Sequence, residues 1–423
     1  MILVVPGAYD LFMPRMKILI SGAGIAGPTV AYWLLRAGHK PVLVERAPKF
    51  RTGGYMIDFW GIGFDVAERM DLIAALRVAG YRIERIEFVA ADGKKRSGFG
   101  GNVFQRSLGN RFISIPRGDL ASTIYDAVKN DVETIFGDSV ASVDQNPRRI
   151  EVTFERGRPQ SFDLLIGADG LKSTTRAAVF GVDEQIERFL GYYAASFVTS
   201  SYPNRDEHTY LSYAAPGRQI SRYALRDDRT AFLFVFEKRD QIPGGPVDLA
   251  ARKQILCETF SRDAWIEWPE IEKRLNECED LYFDAVSQIT LPAWSKGRTV
   301  LIGDAAYCPS LLAGEGTSFA MAGAFILASE LGRAGGDYTK AFTAYESCFR
   351  PFIERKQKSA RSFASSFAPK SRFGLFIRDQ VLRLGAIPVV GDFLMGHFVA
   401  DRFQLPDYEA RQQTASRSTG ATR

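Results

Sequence analysis

The stretch KILISGAGIAGPTVAYWLLRAGHKPVLVER (residues 17–46) decides how this chain folds. A β-rich run leads into a glycine turn, a helical run follows, and a second β-rich run ends in an acid and a base. This order predicts a βαβ unit, which requires a parallel sheet covered by helices. We therefore expect an α/β fold.

Gly22, Gly24 and Gly27 have the GxGxxG spacing of a dinucleotide-binding turn between a strand and a helix. Such glycines permit a tight turn and let the backbone approach a pyrophosphate at the helix N-terminus. Glu45, at the end of the second strand, is placed to accept hydrogen bonds from ribose hydroxyls. Arg46 would suit a ribose phosphate instead, but the neighbouring acid argues against it.

The composition argues against several classes of protein. The chain has 423 residues and a net charge of only +5, with 54 basic and 49 acidic residues and no dense basic run, so nucleic-acid binding is not expected. No CxxC or Cys/His cluster is present, so neither a metal site nor a disulfide framework is expected, and a reducing cytoplasm fits best. The four cysteines are Cys257, Cys278, Cys308 and Cys348.

Three further motifs occur in a fixed order along the chain. PRGDL places Arg117 at a helix start, GADGLKSTTR (residues 167–176) contains Asp169, and IGDAAYCPSLLAGEG (residues 302–316) contains Asp304. Together with the glycine turn they resemble the flavoprotein aromatic monooxygenase family, whose best-known member is para-hydroxybenzoate hydroxylase. The resemblance extends from about residue 16 to residue 350. It implies that the dinucleotide is FAD, held by Arg117, Asp169 and Asp304, with a loop containing Gly54 over the isoalloxazine ring.

The residues around Asp304 support this interpretation without the family. Asp304 ends a predicted strand, where ligands bind in parallel sheets. Gly314 and Gly316 would let the chain pass flat against a ring, and the helix that follows offers its N-terminus to a negatively charged reduced flavin. Cys308 as a nucleophile is the alternative, but no histidine lies nearby to activate it, so a packed, inert thiol is expected.

The resemblance also implies a domain organisation. A Rossmann-like FAD-binding domain is assembled from discontinuous segments, an inserted antiparallel sheet forms the substrate domain, and helices follow at the C-terminus. Phe373, Ile377, Val381 and Leu384 fall on one face of a C-terminal helix that would cap the substrate cavity. The expected segments are an extension at 1–15, the FAD domain at 16–76, 101–189 and 276–350, the substrate domain at 77–100 and 190–275, helices at 351–408 and a disordered tail at 409–423.

The chemistry that the resemblance implies is carried by the cofactor. NADPH or NADH reduces the flavin, O2 adds to give a flavin hydroperoxide, and one oxygen atom passes to an electron-rich phenolic, polyketide-like or enol small molecule. No catalytic side chain is certain, and the candidates are Asp58 and Tyr307. The candidates for substrate contact are Tyr193, Phe234 and Ser310.

Four positions depart from the usual form of the third motif. Tyr307, Ser310, Glu315 and Ser318 stand where the family commonly has His, Pro, Gln and Asn. A carboxylate at position 315 would repel an anionic flavin, so Glu315 either turns outward or complements the helix N-terminus.

Two alternatives remain at this point. The segments GYMIDFWGIG, YFDAVSQI and GDAAYCPS resemble those of a branch of the family that includes tetracycline-inactivating monooxygenases. A different class is a non-oxygenating FAD reductase or dehydrogenase acting on an isoprenoid, in which the C-terminal amphipathic stretch would contact a membrane. In the main interpretation the partners are only the small-molecule substrate and O2, with no stable membrane insertion, and the protein is a monomer or a homodimer.

Overall fold

The computed structural model describes residues 15–50, 55–101, 103, 106, 108–181, 185–242, 248–385, 387 and 403–408 of the chain, with side chains omitted at 361–367. The predicted cofactor contact Gly54, nearly all of the predicted extension and the predicted tail lie outside these residues.

The quoted stretch forms the predicted βαβ unit: strand β1 (Lys17–Ser21), helix α1 (Ala26–Arg36) and strand β2 (Lys40–Glu45). It lies within a six-stranded sheet of order β17-β18-β11-β1-β2-β7, parallel except for the short edge strand β17. The central strand β1 is flanked on both sides and its apolar residues are fully buried, as expected when helices cover a parallel sheet. The remaining strands of this sheet are β7 (Glu133–Phe136), β11 (Leu164–Gly167), β17 (Ser295–Lys296) and β18 (Thr299–Leu301).

Smaller elements surround this sheet. Strands β3 (Met56–Trp60) and β6 (Phe112–Pro116) pair as a ribbon, and β8 (Val140–Gln145), β9 (Ile150–Phe154) and β10 (Gln160–Phe162) form a separate antiparallel sheet. The helices of this part of the chain are α2 (Ile62–Arg69), α3 (Ile73–Ala79), α4 (Arg117–Asp126) and α5 (Thr174–Phe180).

The predicted substrate domain is a seven-stranded sheet of order β16-β12-β15-β14-β13-β4-β5. Its strands are β4 (Arg85–Val89), β5 (Lys95–Gly100), β12 (Glu187–Ser200), β13 (Thr209–Ala215), β14 (Arg218–Leu225), β15 (Arg229–Glu237) and β16 (Tyr282–Ile289). The prediction of an antiparallel sheet needs two corrections. Strand β4 pairs with β13 in parallel. Strand β16, which lies in the segment expected for the FAD domain, is the edge strand beside β12.

One face of this sheet is closed by helices α6 (Leu249–Phe260) and α7 (Trp268–Glu277). Tyr193 and Phe234 lie in this buried layer, where Tyr193 stacks on Phe236 and Phe234 packs edge-on against Phe260. Both side chains are at most 1% exposed. The prediction that they contact substrate is therefore wrong in its choice of face, because residues of alternate position on the same strands face the cofactor domain.

Four α-helices follow strand β18 in the described part of the chain. These are α8 (Asp304–Tyr307), α9 (Gly316–Arg333), α10 (Tyr338–Phe367) and α11 (Arg372–Gly385). Helix α11 lies against β5 and buries Leu375 and Asp379, and the Asp379 carboxylate accepts a hydrogen bond from Ser97.

The predicted apolar face of α11 points outward: Phe373 is 72% exposed and Leu384 53%. The expectation that this face caps the cavity is therefore corrected, since the helix covers the sheet with its other side. Within the described residues, no helix is long and apolar enough to cross a bilayer.

Candidate active site

The glycine turn after β1 is shaped by close contacts within the protein. Gly22 has φ +103°, and a Cβ atom there would lie 2.5 Å from the carbonyl oxygen of Ala168. A Cβ on Gly27 would lie 1.9 Å from the carbonyl oxygen of Gly22. At Gly24 an added Cβ would meet no atom within 4 Å. Gly22 and Gly27 therefore allow close contacts between backbone segments. Gly24 leaves open space beside the N-terminus of α1, where a phosphate would be stabilised.

Glu45 reaches back to this turn. Its carboxylate accepts hydrogen bonds from the backbone N–H groups of Ala23 and Ala47, both at 2.9 Å. These contacts hold the carboxylate at the end of β2 and leave lone pairs for a ribose hydroxyl. Arg46 beside it is exposed.

Asp169 begins the second motif, and its carboxylate is used within the protein. It accepts hydrogen bonds from the Ser173 hydroxyl, from the Thr174 hydroxyl at 3.2 Å and from the Thr175 backbone N–H at 2.9 Å. The Ser21 hydroxyl of β1 also donates to it, at 3.4 Å. Asp169 therefore joins the start of α5 to the end of β1, where the glycine turn begins.

Arg176 ends the same motif and was absent from the predicted site residues, although its place in GADGLKSTTR was the available signal. Its guanidinium is buried and donates from Nη1 to the Ala305 carbonyl at 2.9 Å and from Nη2 to the Leu171 carbonyl at 2.6 Å. Burial lowers the pKa of Arg176, and Asp169 opposes that shift. The second and third motifs are thereby joined.

Asp304 and Arg117 come together from distant parts of the chain. Burial raises the pKa of the Asp304 carboxyl, whereas the nearby Arg117 guanidinium and a hydrogen bond with Cys308 lower it. Protein surrounds the Asp304 carboxylate, yet it keeps contact with solvent, which places it on the wall of an internal cleft. Gly316, the first residue of α9, is so close that an added Cβ would lie 3.7 Å from Asp304 Oδ1.

The opposite wall of the cleft belongs to the substrate sheet. The Tyr55 ring lies 5.5 Å from the ring of Tyr282 on β16, centroid to centroid. Burial raises the pKa of Tyr55 to about 12, with Arg117 opposing the shift. Burial also raises the pKa of Asp284, with a smaller contribution from the Asp304 charge. Tyr55, Tyr282 and Asp284 all retain partial solvent contact, so they border the same cleft.

Asp58 lies on β3 and accepts a hydrogen bond from the Ser114 hydroxyl at 2.6 Å. Burial raises its pKa, and the Ser114 bond opposes that shift. The Asp58 side chain is nevertheless exposed to solvent. Tyr210 and Tyr223 lie on the face of the sheet away from α6 and α7. Burial raises the pKa of both, and the charge of Asp58 adds to each shift. Asp58 therefore lies near the face of the sheet that carries Tyr210 and Tyr223, and its contact with flavin or substrate stays a prediction.

The segment from Cys308 to Glu315 is held by buried amides. The Gln357 side chain donates to the carbonyls of Ile289 at 2.7 Å and Cys308 at 3.2 Å, and Gln288 donates to the Pro309 carbonyl at 2.7 Å. Ser310 has φ +134°, a strained value for a residue other than glycine. Its buried hydroxyl accepts a hydrogen bond from the Leu312 N–H, so this side chain turns toward its own loop.

Cys308 and Tyr307 are both buried. Burial and the neighbouring Asp304 charge raise the pKa of the Cys308 thiol well above its usual value, which favours the thiol over the nucleophilic thiolate. Tyr307 packs against Trp294, with 4.5 Å between ring centroids, and its hydroxyl accepts a hydrogen bond from Tyr345 at 3.2 Å. The structure therefore places Tyr307 in the aromatic core under α9, which corrects its candidacy as a catalytic group.

The N-terminus of helix α9 lies beside Asp304. Gly314 precedes it in a left-handed conformation, and the Ser318 hydroxyl in its first turn donates to the Trp60 carbonyl at 2.9 Å. The Glu315 carboxylate does not cap the helix; it pairs with Lys356 of α10, at 3.1 Å.

These residues fit FAD. The open space at Gly24 and the carboxylate of Glu45 lie at the glycine turn, which Asp169 ties to the second motif. Arg176 ties the second motif to the third, where Asp304 lies, so the parts form one extended site, as a dinucleotide requires. FAD would place its pyrophosphate at α1 and its ring toward the start of α9.

Comparison with known proteins also indicates an FAD site. Residues 15–354 match the FAD binding domain family. A flavin-dependent monooxygenase of Legionella longbeachae is 35% identical over 403 residues, which cover 94% of this chain and 99% of the relative. The crystal structure of the tetracycline destructase Tet(55) superposes with a TM-score of 0.79 and 31% identity, covering 94% and 100% of the two chains. HpxO of Klebsiella pneumoniae in complex with FAD, at 21% identity and a TM-score of 0.74 over 92% and 99% of the chains, shares the fold.

Proposed function

The chain belongs to the FAD binding domain family and is an FAD-dependent monooxygenase, and from that premise we propose that it oxygenates an electron-rich phenol or enol with NADPH or NADH as reductant. The reductase and dehydrogenase alternative is not carried forward, because the relative that matches almost the whole chain is a monooxygenase.

The observation that carries the proposal is the cleft between β3 and the substrate sheet. Its polar lining consists of tyrosines and carboxyl groups, of which Tyr55, Tyr282 and Asp284 are partly buried and Asp58 is exposed to solvent. Enclosed, mostly apolar sites with a few polar groups suit a small aromatic or enolic molecule and exclude bulk water from a reactive intermediate. When bound, FAD supplies the redox chemistry and the activation of O2.

The chain's own residues then have three tasks. Arg117 and Asp304 hold the cofactor at the carboxyl end of β18. The N-terminus of α9 stabilises negative charge on the reduced ring. Asp58 accepts a hydrogen bond from a substrate hydroxyl, which orients that substrate and favours its more electron-rich, partly deprotonated form.

The test is a screen of simple phenols and polycyclic enols for stimulated NADPH and NADH oxidation, with the product mass measured for each. We expect at least one compound that gains a single oxygen atom, with kcat/KM higher for one nicotinamide than for the other. Oxidised products without any mass gain would contradict oxygenation of this substrate class.

A tetracycline is the second candidate substrate. The likeness to tetracycline destructase Tet(55) over 94% of the chain supports it. Tetracyclines are polycyclic phenols and enols, so the same assay decides between them: a mass gain on a tetracycline, together with loss of its antibacterial action, would establish this narrower activity.

We also propose a cytoplasmic enzyme that is a monomer or a homodimer. The four cysteines all lie within the described residues and none of them forms a disulfide, as a reducing compartment permits. Fractionation of cells and light scattering of the purified protein test these two points, and a secreted protein or a higher oligomer would contradict them.

A further inference from the structure

A line of hydrogen-bonded side chains crosses the face of the substrate sheet that lies away from α6 and α7. Arg378 of α11 donates from Nη1 to Gln219 Oε1 on β14, at 3.2 Å. Gln219 Nε2 donates to the Ser221 hydroxyl at 3.1 Å, and this hydroxyl lies 2.8 Å from that of Ser212 on β13. The hydroxyls of Ser221 and Tyr210 also share a hydrogen bond. Gln219, Ser212 and Ser221 are each at most 3% exposed, so the line runs inside the protein.

The donors and acceptors of this line have one consistent direction. A guanidinium only donates, so the Gln219 oxygen faces Arg378 and its amide NH2 group faces Ser221. The Ser212 hydroxyl is fully buried and has no other hydrogen-bond partner among the described residues. Because a buried donor without an acceptor is costly, Ser212 donates to Ser221. Ser221 therefore accepts two hydrogen bonds and donates its own proton to Tyr210.

The proton of the Tyr210 hydroxyl is then left for another molecule. Burial raises the pKa of Tyr210 to about 12, with the Ser221 hydrogen bond opposing the shift, so the hydroxyl stays protonated at neutral pH. Among the described residues it has no acceptor, and its side chain is only partly buried. The neighbouring Tyr223 differs, because it is buried and its hydroxyl donates to the Arg82 carbonyl at 3.3 Å.

Tyr210 lies beside Asp58. Both Tyr210 and Met56 of β3 pack against the apolar cluster that contains Tyr223 and Ala231. Met56 and Asp58 point to the same face of β3, because side chains two positions apart on a strand do so. The Asp58 charge also adds to the raised pKa of Tyr210. A hydrogen-bond donor and a carboxylate acceptor are therefore close neighbours between β3 and the substrate sheet.

We propose that Tyr210 is a specificity-determining residue that donates a hydrogen bond to the hydroxyl oxygen of the substrate, while Asp58 accepts the proton of that hydroxyl. Ser221, Gln219 and Arg378 are positioning residues, because they fix the direction of the Tyr210 hydroxyl from inside the protein. An oxygen that both accepts and donates must carry a proton, so a free hydroxyl is favoured over its methyl ether. The inference rests on the phenol or enol substrate of the proposed function.

The test measures binding of 4-nitrophenol to the FAD-loaded enzyme by equilibrium dialysis, at a pH at which the phenol keeps its proton. Its methyl ether, 4-nitroanisole, is the comparison ligand and should bind more weakly to the wild type. Tyr210→Phe should raise the Kd of 4-nitrophenol about tenfold, the loss expected for one hydrogen bond. Tyr223→Phe is the matched control and should leave this Kd unchanged, because the hydroxyl it removes bonds to the Arg82 carbonyl.

Gln219→Glu tests the positioning residues. A carboxylate still accepts from Arg378 but cannot donate, so Ser221 would donate to the new carboxylate and Tyr210 would turn its proton to Ser221. The Kd of 4-nitrophenol should again rise about tenfold. In the Tyr210→Phe background the same change should have little effect, whereas a general loss of structure or an added charge would act in both backgrounds. If Gln219→Glu does not fold, Ser221→Ala replaces it in the same cycle.

Equal affinity of the wild type and Tyr210→Phe for 4-nitrophenol, or no measurable binding of this ligand, would overturn the inference. Additive effects of Tyr210→Phe and the positioning variant, or an equal loss of affinity in Tyr223→Phe, would overturn it as well. Failure of the substrate proposal would be a separate result: 4-nitrophenol would bind through Tyr210, and no phenol or enol would gain an oxygen atom.

Discussion

The guanidinium of Arg176 donates a hydrogen bond to the carbonyl oxygen of Ala305, 129 residues along the chain, and so fixes the second motif against the third. Asp169 ties the same helix to Ser21 at the end of β1. The glycine turn, the α5 start and the Asp304 turn are thus one hydrogen-bonded unit. The cofactor site is therefore expected to lose order at several places when this unit is broken.

Arg176→Met tests that unit. The variant leaves the carbonyls of Ala305 and Leu171 without their donor, and an unsatisfied buried polar group costs about 1 to 3 kcal/mol. We expect a lower Tm in the FAD-free protein and weaker FAD binding, measured by thermal unfolding and by flavin titration. Arg298→Met, which removes an arginine that also donates to backbone carbonyls but lies away from the cleft, should lower Tm without weakening FAD binding. Unchanged FAD affinity in Arg176→Met would refute the proposed unit.

Asp304→Ala should purify with much less flavin. Loss of a hydrogen bond to a charged group is worth about 1.5 to 3 kcal/mol, so the dissociation constant of FAD should rise about ten- to a hundredfold. The measurement is titration of the FAD-free protein, followed by flavin fluorescence. Asp126→Ala on the exposed side of α4 is the matched control and should bind FAD normally. Full flavin occupancy in Asp304→Ala would mean that the third motif does not hold the cofactor.

The sequence predicted best what depends on local pattern. The βαβ unit, the glycine turn and the helix after Gly316 follow from short-range periodicity and turn chemistry, and each is present. The position of Asp304 at the end of β18 follows from the same logic.

What it missed depends on long-range pairing. Strand β16 pairs with β12, from which helices α6 and α7 separate it in the sequence. Nothing in the residues of β16 indicates that partner. Tyr193 and Phe234 were placed on the wrong face because both faces of these strands are buried, so alternation does not distinguish them. The ion pair between Lys356 and Glu315 was missed because the two residues lie 41 positions apart in the chain.

Phe234→Leu tests the corrected face. The ring packs against Phe260 inside the layer under α6, so the smaller side chain should lower the free energy of unfolding by about 1 to 3 kcal/mol. Because the residue does not border the cleft, KM for an oxygenated substrate should equal that of the wild type. Denaturant unfolding and steady-state kinetics measure the two quantities, and a raised KM with unchanged stability would return Phe234 to the substrate site.

Asp58→Asn should impair the reaction of the substrate while it stabilises the folded protein. The Asn side chain still accepts the hydrogen bond from Ser114 but no longer carries charge, so kcat/KM should fall about tenfold, through a higher KM and a lower kcat. Since burial raises the Asp58 pKa in the folded protein, the ionised carboxylate opposes folding above its ordinary pKa. The variant should therefore be more stable than the wild type at neutral pH, and the difference should vanish as acid protonates Asp58.

The kinetic pH profile gives a second measure of Asp58. Substrate binding by an ionised carboxylate weakens as pH falls through its raised pKa, so KM of the wild type should increase toward acid pH and KM of Asp58→Asn should not. Ser114→Ala removes a bond that lowers the Asp58 pKa, so it should move this increase to higher pH. A profile that is the same in all three proteins would exclude Asp58 from substrate binding.

Gly323→Ala tests the place of Tyr307 in the core. An added Cβ would lie 1.9 Å from the Tyr307 hydroxyl oxygen, and overpacking of this kind costs about 1 to 3 kcal/mol even though alanine favours a helix. Tyr307→Phe removes that oxygen and leaves the ring carbon 3.2 Å from the new Cβ, so the double variant should recover most of the lost stability. Denaturant unfolding of both single variants and the double variant gives the coupling energy. Additive losses would mean that Tyr307 does not point at α9, whereas recovery together with normal substrate turnover would confirm that its hydroxyl serves packing and not chemistry.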